Sequence, residues 1–321
     1  MEAGAARYLA AVHARWLDEE PQTRWREVDA TLLFADVSGF TALGERLARS
    51  GRVGTEELTD VIKAVFARML EPVLALGGDL LKFGGDAVLL LFEGDDHAER
   101  AAAGALAMQE AIRSLRGMRT SAGAVSLRLS AGLASGPLHL FLAGSSFKDL
   151  VVAGPLSSAV CELEGAAGPG EVLIGARTAD ALGVRRRPTD GRPGVPIRTA
   201  APVDVAGPTV AALLADPAAG LPPHLRDREP GDGEHRMVTA AFVQFRGPDS
   251  LLAEAGPVAV ADALDELTAA VQEACAVHDV TLVAIDVDRD AGKFYLVTGA
   301  PTAGTDDEDR MLHAVGAPVT R

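Results

Sequence analysis

Residues 30–41 read Ala30-Thr31-Leu32-Leu33-Phe34-Ala35-Asp36-Val37-Ser38-Gly39-Phe40-Thr41. Residues 77–92 read Gly77-Gly78-Asp79-Leu80-Leu81-Lys82-Phe83-Gly84-Gly85-Asp86-Ala87-Val88-Leu89-Leu90-Leu91-Phe92. Residues 31–37 are apolar and β-branched, which predicts a buried strand. Asp36 and Asp86 each sit in such a run, where a carboxylate is costly to bury unless a donor or a cation compensates it. Either aspartate alone fits a cap of a helix or turn equally well. The two flanked runs together point to a metal site. Between them, Ser38-Gly39-Phe40-Thr41 turns sharply into a helix. A glycine-containing turn at a helix N-terminus exposes several backbone N–H groups, a ready cradle for phosphate.

Outward from this stretch, the pattern predicts a helix over 41–49, a break at Gly51 to Gly54, and a second helix over 55–76. Leu58, Val61, Ile62, Val65, Phe66, Met69 and Leu70 line one face of the second helix. Gly77-Gly78 ends it. Strands over 79–83 and 87–92 are joined by Gly84-Gly85, a strong hairpin signal, with Asp86 at the tip. A helix over 97–115 follows, then a strand over 126–135 with a hairpin return over 138–142, and a strand over 148–152. A helix opens at Gly154-Pro155 and reaches 164. A last strand at 171–174 and a short helix at 178–182 complete the unit. The order β-α-α-β-β-α-β-β-α-β predicts an α+β fold: a mainly antiparallel sheet covered by helices, with a ferredoxin-like core.

The remaining segments are read by composition. Residues 3–18 carry Tyr8, Leu9, Val12, Trp16 and Leu17 at helical spacing, an N-terminal helix or arm expected to pack on the first domain. Residues 184–201 read as a peripheral hairpin or loop. Residues 206–234 are rich in Pro, Gly, Asp and Arg, a linker. The pattern then restarts. Met237-Val238-Thr239-Ala240-Ala241-Phe242-Val243-Gln244-Phe245-Arg246-Gly247 matches the first strand and turn. A helix over 258–278 and a hairpin over 279–297 follow, so the chain repeats at an offset of roughly 207 residues. The expected domains are 1–28, 29–205, 206–234 and a partial second copy over 235–321. A half-copy cannot close its own sheet, so it must pack on something else or stay partly open.

Bulk properties limit the function. The 321 residues allow two domains, and 48% are hydrophobic. No apolar run reaches membrane-span length, and the N-terminus lacks a signal-peptide pattern. Cys161 and Cys275 stand far apart and form no metal spacing. Both features predict a reducing, cytoplasmic setting. A net charge of -15 argues against nucleic-acid binding, because phosphates would be repelled. A nucleotide bound through metal ions is compatible with that charge.

The stretches Phe34-Ala35-Asp36-Val37-Ser38-Gly39-Phe40-Thr41 and Leu81-Lys82-Phe83-Gly84-Gly85-Asp86-Ala87 resemble the catalytic domains of class III adenylyl and guanylyl cyclases. The likeness is greatest to the tandem-domain, bicarbonate-responsive soluble adenylyl cyclases and their bacterial relatives. It covers 30–176 well and 235–300 more weakly. The resemblance implies a phosphorus–oxygen lyase of intracellular signalling that makes 3′,5′-cyclic AMP and pyrophosphate from ATP, with GTP the alternative. It implies two divalent ions, Mg²⁺ or Mn²⁺, on Asp36, Asp86 and the Val37 carbonyl, with Ser38, Gly39, Phe40 and Thr41 on the phosphates. Lys82 resembles a base-reading lysine. In a first domain it is expected to line a second, pseudosymmetric pocket, where the tandem soluble enzymes bind bicarbonate.

In that family the site forms between two domains or two chains, and several partner residues depart from the pattern here. Ser158 and Glu162 stand where an Asn and an Arg would steady the ribose and transition state. Gln244 and Gly292 replace the metal aspartates in the second copy, and Val283 is expected at its lysine position. Ser130 stands where a triphosphate-binding Arg or Lys is common, with Arg128 a substitute on the same strand face. These departures leave a second reading open: a degenerate cyclase-like module that binds nucleotide and metal and regulates an attached domain.

Overall fold

The computed structural model describes residues 8–49, 51–124, 126–185, 191–204, 207, 219–226 and 236–316. In chain order its elements begin with α1 (Ala11–Glu19), β1 (Trp25–Ser38), α2 (Phe40–Ala48), α3 (Gly51–Ala75), β2 (Asp79–Gly84), β3 (Ala87–Glu93) and α4 (His97–Ser114). A small hairpin follows, β4 (Arg119–Thr120) and β5 (Gly123–Ala124), then β6 (Arg128–Ala143), β7 (Asp149–Ala153), α5 (Pro155–Ala166), β8 (Val172–Ile174), α6 (Ala176–Ala181) and β9 (Val195–Ile197). The remainder is α7 (Pro223–Arg226), β10 (Thr239–Arg246), α8 (Pro248–Val277), β11 (Thr281–Asp288), β12 (Ala291–Thr298) and α9 (Asp307–Gly316). Among the described residues no helix is long and apolar enough to cross a membrane.

The chain forms two compact units. One comprises Asp29–Pro137 and Ala159–Thr209; the other comprises Met1–Val28, Leu138–Ser158 and Val210–Arg321. In the first, the strands run in the order β2-β3-β1-β6-β8-β9. The β6–β8 pair is parallel, whereas β2–β3, β3–β1 and β8–β9 are antiparallel. The sheet is thus mainly antiparallel with helices over it, the expected α+β class. Leu33, Ala35 and Val37 alternate toward one face and share a core with Val65 and Met69 of α3 and Ala101, Ala105 and Met108 of α4. Each such large apolar side chain contributes roughly 1.5–3 kcal/mol on full burial.

Local expectations were corrected at three points. Helix α3 begins at Gly51, so the expected break at Gly51 to Gly54 is the first turn of a helix. Strand β6 runs unbroken over 16 residues where a strand and a hairpin return were expected. Gly136-Pro137 reads locally as a turn, but Gly136 adopts φ +144°, and a Cβ there would lie 2.7 Å from Arg177 Nη1. Glycine continues the strand at a point where another residue could not. Residues 195–197, expected in a loop or peripheral hairpin, instead form β9 on the edge of β8.

In the second unit, β10, β12 and β11 form a three-stranded antiparallel sheet in that spatial order. Phe294, Leu296 and Ile285 share a core with Val260, Leu264 and Val271 of α8, Met311 of α9, and Phe141, Phe147 and Val151 from β6, β7 and their connection. The half-copy therefore buries its apolar face by sharing a core with β6 and β7. Gln272 of α8 ties down the 144–147 turn. Its Oε1 accepts the Ser145 and Ser146 N–H groups at 2.8 and 3.0 Å, and its Nε2 donates to the Phe147 carbonyl at 3.0 Å. Lys148 pairs with Asp265 at 2.8 Å beside it. Helix α1 also belongs to this unit. The expected linker over 206–234 lies largely outside the described residues, and α7 is the helix described within it.

Candidate functional site

Asp36 stands two residues before the end of β1, opposite Ala87 of β3. Asp86 is the second residue of the two-residue turn between β2 and β3, after Gly85 at φ +75°. The turn thus sits one residue later than the Gly84-Gly85 reading, and it returns Asp86 directly to the end of β1. The Val37 N–H donates to the Asp86 carbonyl at 3.2 Å. The two carboxyl groups come together. Burial lifts Asp36 above the ordinary carboxylate range, and the charge of Asp86 and a hydrogen bond to it lift it further.

The turn that follows has the geometry of an anion cradle. Gly39 is the N-cap of α2 at φ +106°, and a Cβ on it would lie 2.7 Å from the Ser126 carbonyl. Only glycine fits both constraints. The first helical N–H groups after it have no intrahelical partner. Thr41 and Gly39 are exposed, Ser38 is half-buried, and Phe40 turns into the core. Phe40 stacks on Phe66 of α3 at 6.0 Å, and Phe83, three residues before Asp86, meets the same Phe66 edge-on at 5.5 Å. One aromatic ring of α3 therefore braces both the turn and the hairpin.

Strand β6 runs antiparallel beside β1. Thr31 Oγ1 lies 2.7 Å from Ser135 Oγ, and the Ser38 hydroxyl donates to the Arg128 carbonyl at 3.3 Å. Between these contacts Ser130 falls beside Asp36 and Gly132 beside Phe34. Facing residues on adjacent strands point to one side, so Gly84, Ala87, Asp36 and Ser130 form one row of the sheet. Lys82, Leu89, Phe34 and Gly132 form the next, about 7 Å along the strands. Lys82 thus shares the face of Asp36. Arg128 is exposed on that face, beside the Ser38 turn.

A third carboxylate, Glu164, joins this face from α5. Gly132 lets the helix approach: a Cβ there would lie 2.5 Å from the Glu164 nitrogen and 2.8 Å from the Val160 carbonyl oxygen. The Ser130 hydroxyl donates to Glu164 Oε1 at 3.2 Å. Burial raises the Glu164 carboxyl above its ordinary range, as do the charges of Asp36 and, less strongly, Asp86, while the Ser130 hydrogen bond opposes them. Glu164 carries no local signal in the sequence. The same-face spacing of Ser130 and Gly132 was legible, but nothing local connects that strand to a helix turn 34 residues later.

Among the described residues no three His, Cys, Asp or Glu side chains form a ready metal cage. Two carboxylates with repelling charge, beside an exposed turn that opens a helix N-terminus, fit a hard divalent cation that takes its other ligands from backbone, water and phosphate. Sulfur and imidazole donors are absent from this set, which disfavours softer metals.

The second copy repeats the frame without the carboxylates. Gln244 faces Lys293 as Asp36 faces Ala87, so Gly292 holds the Asp86 position, as expected. Gln244 is held by Asp288 and Arg246, each at 3.3 Å. A Cβ on Gly292 would lie 2.3 Å from the Phe245 ring. Both hairpins carry the same bulge: Lys82 faces Leu89 after a register shift past Leu80, and Ala284 faces Tyr295 after a shift past Leu282. The lysine-equivalent residue is therefore Ala284, and Val283 occupies the bulge. The one-residue error arose because a bulge is invisible to simple offset counting. Ser158 accepts the Asp290 N–H at 2.7 Å, and Glu162 lies two residues before Glu164 on α5.

Comparison with known proteins returns cyclases and uncharacterized proteins. No protein-family model matches the chain. It is 30% identical over 124 residues to rabbit (Oryctolagus cuniculus) adenylate cyclase type 10, covering 38% of this chain and 8% of that protein. It is 41% identical over 66 residues to human adenylate cyclase type 10, 20% of this chain and 4% of that protein. An uncharacterized protein of Mycobacterium tuberculosis is 33% identical over 149 residues, 46% of this chain and 33% of that protein. The chain thus spans less than a tenth of the mammalian relatives. Among solved structures, the guanylyl cyclase Cya2 matches with 25% identity and a TM-score of 0.45, over 54% of this chain and 91% of that chain. The adenylyl cyclase CyaB from P. aeruginosa matches with 24% identity and a TM-score of 0.43, over 50% and 83%.

Proposed function

We infer that the chain carries a class III nucleotide cyclase domain, adenylyl or guanylyl, and from that premise we propose that it converts ATP to 3′,5′-cyclic AMP and pyrophosphate. The observation that carries this reading is the meeting of Asp36 and Asp86 beside the Ser38 to Thr41 turn. In the reaction the ribose 3′-oxygen bonds to the α-phosphorus, its proton passes to water, and the bond from that phosphorus to the pyrophosphate oxygen breaks. Bound divalent ions, Mg²⁺ or Mn²⁺, would acidify the 3′-hydroxyl and neutralise the triphosphate and the departing pyrophosphate.

The chain's own residues orient and hold. Asp36, Asp86 and the Val37 carbonyl hold the cations, and the backbone of Ser38, Gly39, Phe40 and Thr41 holds phosphate oxygens. Arg128, exposed beside that turn, adds positive charge for the triphosphate. Lys82, on the same face, serves a nucleotide or regulatory pocket, with bicarbonate a candidate regulator. A partner surface, from a second domain or a second chain, completes the site.

One observation favours a second reading, a nucleotide- and metal-binding regulatory module. Gln244, Gly292 and Ala284 supply neither carboxylate nor lysine, and Ser158 is spent on Asp290. Assay of the chain with ATP or GTP and Mn²⁺ separates the two readings. Cyclic nucleotide formed by the wild type and abolished in Asp36→Ala supports the cyclase. No product, with metal-dependent nucleotide binding lost in Asp86→Asn, supports the module.

A further inference from the structure

We propose that Glu164 is a positioning residue of the divalent-cation site, acting on the cation through its water shell from its place beside Asp36. The inference rests on the cation reading of Asp36 and Asp86 and adds a residue to it.

Three features hold Glu164 there. Ser130 flanks Asp36 across the β1–β6 pair and donates to Glu164 Oε1 at 3.2 Å. Gly132, one row further along the same face, permits the close approach of α5 at Val160 and Glu164. Leu163, beside Glu164, is buried in that packing. The carboxylate is thus fixed by a strand hydroxyl and a helix seat, at a cost that a surface glutamate would not incur. It does not complete a cage of direct ligands, so its reach to a cation is through water, where a fixed negative charge orients the shell and tightens binding.

The test is Mn²⁺ binding to the full chain without nucleotide, read by the electron paramagnetic resonance of the free ion, with melting curves for each variant. Glu164→Gln keeps the shape and can still accept from Ser130, but removes the charge. It is expected to weaken Mn²⁺ binding about three- to tenfold, the scale of one charge acting across a water layer near a protein surface. Glu164→Asp keeps the charge and is expected to retain more affinity than Glu164→Gln. A merely structural role gives the opposite order, because the shorter side chain loses the Ser130 contact. Wild-type affinity in Glu164→Gln, or that reversed order, overturns the proposal. Asp36→Asn is the separate control: if it binds Mn²⁺ as the wild type does, the cation reading itself fails.

Discussion

Asp36 and Gln244 occupy the same place in two copies of one strand frame, Asp36 opposite Ala87 and Gln244 opposite Lys293. The strand register is common to both, and the paired carboxylates stand in one. At the adjoining position the first copy has Asp86 in a turn, and the second has Gly292 within β12, beneath the Phe245 ring. The second copy has no carboxylate at either of these two positions, and its packing excludes one at Gly292.

Gly292→Asp is therefore expected to destabilise the chain, by roughly 1–3 kcal/mol from overpacking against Phe245. It should not create a metal site even when combined with Gln244→Asp. Chemical denaturation and Mn²⁺ titration of the double variant check both parts.

Gly39→Ala should damage the anion cradle while leaving the carboxylates in place. The φ of +106° costs an alanine about 1–2 kcal/mol, and its Cβ would meet the Ser126 carbonyl. The expected outcome is weaker nucleotide binding with Mn²⁺ binding retained, measured by calorimetry with each ligand separately.

Gln272→Ala should release the 144–147 turn. It leaves two N–H donors and one carbonyl without their partner, a loss of roughly 2–4 kcal/mol. Hydrogen exchange should then show faster amide exchange at Ser145 and Ser146, with the melting temperature lowered.

Glu171 gives the pH dependence. Its hydrogen bond from Arg192 and the Gly168 N–H hold its carboxyl below the ordinary range near 4.5. A depressed acid stabilises the fold above its unfolded pKa and loses that contribution as pH falls through its folded value. The Glu171 side chain is 36% exposed, so the effect is small, under about 1 kcal/mol after solvent screening. Glu171→Gln is expected to lower the melting temperature at pH 7 and to match the wild type at pH values below the folded pKa. Equal differences at both pH values would exclude the ion pair as the cause.

The strand that carries Asp36, the glycine turn, the Asp86 hairpin and the second copy's Gln244 and Gly292 were all legible in the sequence. Each is a local pattern: apolar alternation, a glycine at positive φ, and a two-residue turn encode themselves within a few residues. Four features were decided by tertiary structure. Strand β6 runs straight through Gly136-Pro137, because its two halves find neighbours that no turn signal reports. Residues 195–197 become a strand only because β8 offers an edge. The hairpin bulge moves the lysine-equivalent position from Val283 to Ala284. Glu164 comes to Asp36 because Gly132 admits a helix whose Glu164 lies 34 residues after Ser130 in the chain. The local pattern set which carboxylates sit at strand ends. The long-range packing set what stands beside them, since a contact across the sheet leaves no periodicity in the chain.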